Sequence, residues 1–300
     1  GDGWEIGPHV YKFINHIDPS SLTNGDGSID NPFNSWDSVK WQTSGIYLQK
    51  RGTTWEGNIG IEAGGTEEAP LIIGFYGEGT TPRIESTDTI AIHLNGNDYI
   101  SIKDLYLTTS GADAHGIFAN MSTGISLKRL EIASPGGSGI YLDASHDARL
   151  ENLHVHHAGD DNIRIINSNN YILSSSLLHD AGGQSLQING GSGSVKYNKI
   201  YNEIGWSLCM INSDISISNN VLYGASSNSG PAIALQGGTA QVYNNTIHDA
   251  TIGIYLQSPG HDLKNNILSN CTIGIRTHID EFPAESDHNL FFEIENNRHV

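Results

Sequence analysis

The chain has 300 residues, 37% hydrophobic and 16% charged, with a formal net charge of −18 at pH 7. It holds no run of about 18 apolar residues that would cross a bilayer as a helix, and its 15 Lys plus Arg form no basic stripe for nucleic-acid phosphates. Regularly spaced Ile, Leu and Val exclude a disordered chain; an anionic ligand, repelled at long range, would need a local cation or bound metal to receive it.

The opening GDGWEIG has neither Met nor a signal-type apolar stretch and reads as a processed or trimmed chain. NGDGSID (24–30) resembles an EF-hand calcium loop. It lacks the closing bidentate Glu and flanking helices, so turn chemistry is the expectation there.

From residue 91 a short apolar segment recurs: AIHLN, GIFAN, GIYLD, NIRII, SLQIN, SLCMI, AIALQ, GIYLQ and GIRTH. Their central residues lie at 93, 118, 141, 164, 187, 209, 234, 255 and 276, a spacing of 21 to 25. That period, with one strand per repeat, is a solenoid signature. Between these segments lies a second column with a polar break, as in RLENLHV, SISNNVL, QVYNNTI and DLKNNIL. Aligning the repeats puts Asn152, Ser175, Asn198, Asn219, Asn244 and Asn265 together. Asn tolerates the left-handed corner such a coil needs, and stacked amides can hydrogen-bond. Each repeat therefore reads as three short strands, stacking into three parallel sheets around an apolar interior.

This pattern resembles the right-handed parallel β-helix of pectate-lyase-like polysaccharide lyases, over roughly residues 85–280. The resemblance implies one all-β domain over 1–300: a cap region to about 45 with a short capping helix, coils over about 46–280, and a C-terminal cap at 281–300. GDGSIDNPFNSWDSV (25–39), GIYLQKRGTTWEG (45–57) and GTEEAPLIIGFYGEGTTPRI (65–84) resemble the opening of such enzymes, where NPF leads into that helix. The Asp-Pro-His of β-helix alginate epimerases is missing; Asp18-Pro19-Ser20 is no substitute.

Neighbours in a strand point to opposite faces. With Ile254 and Leu256 inward, an outward ladder follows: His93, Phe118, Tyr141, Arg164, Gln187, Cys209, Ala234, Tyr255 and Arg276. A parallel column holds Asn95, Asn120, Asp143, Ile166, Asn189, Ile211, Gln236, Gln257 and His278. Rungs about 4.8 Å apart approach the length of a sugar residue. Aromatic faces pack on sugar rings, and amides and guanidinium groups bind hydroxyls and carboxylates. Within HHAGDDNIRI (156–165), Asp160 and Asp161 precede the strand that carries Arg164. The equivalent pre-strand positions hold His115, Gln184 and Trp206, a wall beside a cleft with Arg164 on its floor. Arg164 is expected to pair with Asp160 or Asp161 whether or not it is catalytic. Trp206 is a sugar platform or a loop packer. His156, His179 and His248 share a column and read as corner packing; His157 is open. Cys209 and Cys271, three rungs or about 14 Å apart, are beyond a disulfide's reach.

Three functions follow. The first is a secreted or periplasmic lyase cleaving an alginate- or pectin-like uronate glycan by β-elimination. Arg164 neutralises the carboxylate, Tyr141 or His115 is base or acid, and Asp161 with Asp160 orients Arg164 or holds calcium. His93, Asp160, Gln187, Asn189, Trp206, Tyr255 and Arg276 would bind substrate. The second is a β-helix glycoside hydrolase with Asp160 and Asp161, or Asp161 and Asp143, as acid and base. The third is a non-catalytic glycan-binding or adhesion module.

Overall fold

Short strands with one apolar face cannot bury it alone, so they must stack. In the computed structural model, residues 13–87, 90–201, 205–225, 230–278 and 285–295 are described. The opening GDGWEIG and part of the expected C-terminal cap lie outside them. The described strands wind into about 10 coils, and neighbouring strands pair in parallel. The first sheet runs through Ile90–His93, His115–Asn120 and Ile140–Asp143, then the leading ends of Ile163–Ser174, Leu186–Lys196, Leu208–Ser218 and Pro231–Tyr243. It finishes with the trailing ends of Thr246–Leu256 and Ile267–Thr277. The third sheet includes Thr54–Glu56, Arg83–Ser86, Glu131–Ala133, His154–His156, Leu177–His179 and Lys199–Tyr201.

The interior is built from aligned apolar columns. Ile92, Ile117, Ile140, Ile163, Leu186, Leu208, Ile233, Ile254 and Ile275 are register partners in turn, and all are buried. Burying one such side chain stabilises by about 1.5–3 kcal/mol, so a single polar substitution in this column would open a gap between two coils.

The corner register corrects the expected Asn column at one position. The left-handed corner residues are Asn152, Ser175, Tyr197, Asn219, Asn244 and Asn265, with φ of 53–59°. The stacked amides belong to the next residue, which points inward. Asn198, Asn220, Asn245 and Asn266 each donate backbone N–H and Nδ2 to the Oδ1 of the next rung, at 2.9–3.1 Å, ending on Asn289. Each Nδ2 also donates back to a carbonyl of the preceding coil, Leu173, Val195, Ile217 or Val242. These buried amides are satisfied from both sides, avoiding the roughly 1–3 kcal/mol cost of an orphaned polar group. Earlier coils carry buried Leu105, Leu130 and Leu153 in that column.

The short capping helix is not found among the described residues. After Phe33 the chain makes one 3-10 turn, Trp36–Ser38, and Val39 is already extended. The Gln42 N–H goes to the Tyr47 hydroxyl at 2.7 Å instead of a helical carbonyl. Aromatic rings close the core here: Trp36 stacks on Trp41, Trp41 packs on the buried Tyr47, and Trp36 Nε1 donates to buried Gln49. In the NGDGSID turn, Asp26 Oδ1 accepts from the Ser28 N–H and Asn24 Oδ1 from that of Asn34. No helix among the described residues is long and apolar enough to cross a membrane.

Candidate functional site

Register fixes the outward ladder of the first sheet. His93, Phe118, Tyr141, Arg164, Gln187, Cys209, Ala234, Tyr255 and Arg276 are consecutive partners. The second column, Asn120, Asp143, Ile166, Asn189, Ile211 and Gln236, keeps the same register. Exposure interrupts the first column. Cys209 and Ala234 are buried although they point away from the interior. Alternation tells which way a side chain leaves the strand and nothing about what lies over it. Burial, with a smaller contribution from Asp161, pushes the Cys209 thiol up to about 12. Burial raises Cys271 as well, and both cysteines are free.

At the N-terminal side the ladder is aromatic. The His93 and Phe118 rings stack at 5.1 Å, Phe118 meets Tyr141 at 5.1 Å, and His115 stands edge-on to Tyr141 at 5.4 Å. The Arg164 guanidinium lies 5.8 Å from the Tyr141 ring centre. His93 Nε2 is 3.4 Å from Asn120 Oδ1.

Arg164 is held by both aspartates, adjacent though they are. Its Nε donates to Asp161 Oδ2 at 2.8 Å and its Nη2 approaches Asp160 Oδ2 at 2.9 Å. Asp161 is fully buried and its other oxygen accepts the Gln184 N–H of the next coil at 2.8 Å. Burial raises its pKa, opposed by the Gln184 hydrogen bond and the Arg164 charge. Asp160 is 41% exposed and is approached by the buried Ser138 hydroxyl at 3.5 Å. The two carboxylates therefore hold the guanidinium from both sides. Each Asp161 oxygen accepts one hydrogen bond, Oδ2 from Arg164 and Oδ1 from the Gln184 N–H. Two of the guanidinium's five N–H donors are used here, leaving its Nη1 edge for a ligand.

His115 heads the pre-strand column that continues through Ser138, Asp161, Gln184 and Trp206. Its Nδ1 accepts the Ser138 N–H at 3.0 Å, so in the neutral ring Nε2 carries the proton. Burial lowers its pKa, with Arg164 acting the same way. In that tautomer His115 Nε2 is a hydrogen-bond donor. Burial and then Asp143 raise Tyr141, while Arg164 pulls it down. Sequence reading missed Ser138; its signal was a small polar residue between His115 and Asp161 in one column.

The remaining candidates are spread along the face. Gln187 is the next rung after Arg164, and Asn189 follows Ile166 in the second column. Trp206 packs against the next coil: a Cβ on Gly230 would meet its Cδ1 at 2.0 Å. Tyr255 and Arg276 form a second pair, the guanidinium 5.6 Å from the ring, with His278 edge-on at 5.5 Å. A cavity of about 380 Å³ lies elsewhere, beside Glu56, Glu85 and Thr108 at the start of the third sheet. His156 and His179 are register partners on the third sheet, on the far side of the Asp160–Asp161 loop, with His248 three rungs on from His179.

A family model described as "Right handed beta helix region" matches residues 80–205 and 184–299. Among solved structures, the GH136 lacto-N-biosidase of Eubacterium ramulus is 13% identical, with TM-score 0.68 over 94% of this chain and 68% of that one. The alginate lyase of Paenibacillus sp. str. FPU-7 is 14% identical, with TM-score 0.61 over 88% and 95%. Pectate lyase Pel9A is 13% identical, with TM-score 0.55 over 92% and 80%. At such identities the likeness is one of fold. Comparison with curated protein sequences returns no match.

Proposed function

We propose that this chain, which belongs to the right-handed β-helix family, is a carbohydrate-active protein that cleaves a uronate-containing glycan by β-elimination. The observation that carries this reading is the adjacency of Tyr141 and Arg164 on consecutive rungs, with His115 against the same ring. The fold neighbours that act on polysaccharides, an alginate lyase and a pectate lyase among them, support the substrate class.

The glycan lies along the ladder, with rungs of about 4.8 Å spacing its sugars. The free edge of Arg164 and the Nε2–H of His115 bind the uronate carboxylate and take up the charge that spreads onto it as C5 loses its proton. Tyr141, as phenolate, removes that proton. The electron pair forms the C4–C5 double bond, the C4–O bond breaks, and the Tyr141 hydroxyl returns the proton to the leaving glycosidic oxygen. One residue thus serves as base and then acid. Because burial raises Tyr141, the phenolate is scarce at neutral pH and turnover rises with alkalinity. Acting on a polymer, the protein works outside the cytosol, in the periplasm or beyond the cell.

A second reading, hydrolysis with Asp160 and Asp161, is favoured by one fact. Arg164 already faces two carboxylates, so the cluster is net negative when both are ionised and a neutral glycan is not repelled.

The test is incubation with alginate, pectate and neutral glycans, with and without chelator. Unsaturated-uronate absorbance with new chain ends is the expected result. New reducing ends without that absorbance favour hydrolysis, and binding with neither makes the ladder a recognition surface.

A further inference from the structure

The third sheet carries a second cluster of chemistry-bearing side chains, separate from the Arg164 ladder. His154 and His156 are two apart on one strand, so both leave its outer face. His179 is the register partner of His156 on the next coil. The His156 and His179 rings stack at 5.0 Å with their planes 3° apart, and His154 Nε2 lies 2.9 Å from His179 Nε2. One ring nitrogen from each of the three lies within 4.8 Å of the others.

We propose that His154, His156 and His179 bind a divalent first-row transition-metal ion of zinc type, which staples two successive coils together. Imidazole nitrogens at about 2.0–2.1 Å around a tetrahedral ion sit about 3.3 Å apart. The His154 Nε2–His179 Nε2 pair is already closer, at 2.9 Å, and all three nitrogens lie within 4.8 Å, so coordination turns the rings toward a common centre. Asp180 sets the tautomer of His179. Its Oδ2 lies 2.6 Å from His179 Nδ1 and accepts that N–H, leaving the lone pair on Nε2, which faces His154. This carboxylate–histidine arrangement is the usual support of a metal-bound imidazole. His156 Nδ1 contacts His157 Nδ1 at 2.8 Å, while its Nε2 is buried without a hydrogen-bond partner. An orphaned buried nitrogen is costly, and coordination satisfies it. The Glu131 carboxylate, 3.6 Å from His156 Nε2, is placed to supply the fourth ligand.

The full chain, stripped with chelator, is titrated with Zn²⁺ by calorimetry and with Co²⁺ by visible absorbance. The expected result is one equivalent of Zn²⁺ at a Kd of about 10 µM or tighter, with tetrahedral Co²⁺ bands. H154Q and H156Q, checked for fold by circular dichroism, each weaken binding at least about ten-fold, whereas H157N keeps it. Weaker Zn²⁺ binding in the unmodified chain, equal binding in H154Q, or loss in H157N as deep as in H156Q overturns the assignment. Should either glutamine variant misfold, H179N provides the same readout.

Discussion

Tyr141–Arg164 and Tyr255–Arg276 are the same motif on the same sheet, a guanidinium one rung beyond a phenol ring at 5.8 and 5.6 Å. Their surroundings differ. Arg164 is 27% exposed and gripped by Asp160 and by Asp161, which is buried and tied to the next coil. Arg276 is exposed and, among the described residues, has no ion-pair partner. A cation fixed before the ligand arrives loses little freedom on binding and suits a reacting centre. A free one must be ordered each time and contributes a modest contact. The buried Cys209 and Ala234 lie between the pairs, and the two guanidinium groups are five rungs, about 24 Å, apart.

Substitution at the two arginines should give the largest contrast. R164A leaves Asp161 buried without its cation, a loss of about 3 kcal/mol in urea unfolding. It should also lower turnover about 10²-fold or more. R276A should leave stability within about 0.5 kcal/mol. Equal effects at both positions would erase the distinction drawn here.

The phenols should separate next. Y141F should reduce turnover by about 10²-fold or more, while Y255F changes KM a few-fold. Since the Tyr141 pKa is raised above its ordinary value of 10.0, log kcat should climb with a slope near one from about pH 7 to 9. A bell-shaped profile peaking in acid would instead favour the carboxylate mechanism. For R276A, KM for long glycans should rise about five-fold with kcat unchanged, and short oligomers should show no difference.

The smallest effect is on stability against pH. Burial lowers the pKa of both His115 and His261 in the folded chain. The unfolded chain binds protons first as pH falls, so their contribution is full above about 6.5 and is lost between that value and the lower folded pKa. Denaturation midpoints at pH 7.5 and 5 should differ in that direction, and H261N should flatten the difference.

The ladder was legible because a strand's period of two fixes direction: once Ile254 and Leu256 are inward, Tyr255 and its rung partners must be outward. The Asn column slipped at Asn198 because Asn219-Asn220, Asn244-Asn245 and Asn265-Asn266 fill the corner and the inward column alike. Tyr197 occupies the corner that Asn198 was expected to take. The pairing of Arg164 with its aspartates was readable from HHAGDDNIRI; the cover over Cys209 was not, since it depends on what packs against a face. Trp36 and Trp41 close the N-terminal end by ring packing, which helix signals do not report.

The buried asparagines have a direction. Every rung from Asn198 to Asn266 sends its backbone N–H and an Nδ2 bond to the Oδ1 of the C-terminal neighbour, and its second Nδ2 bond back to a main-chain carbonyl. Such a polarised zipper is indifferent to its length. A duplicated turn, copied from residues 221–245 and spliced in after Asn245, would meet a matching acceptor on one side and matching donors on the other. The C-terminal half is therefore a modular track that engineering can lengthen, whereas the Leu105, Leu130 and Leu153 coils carry no such code for splicing.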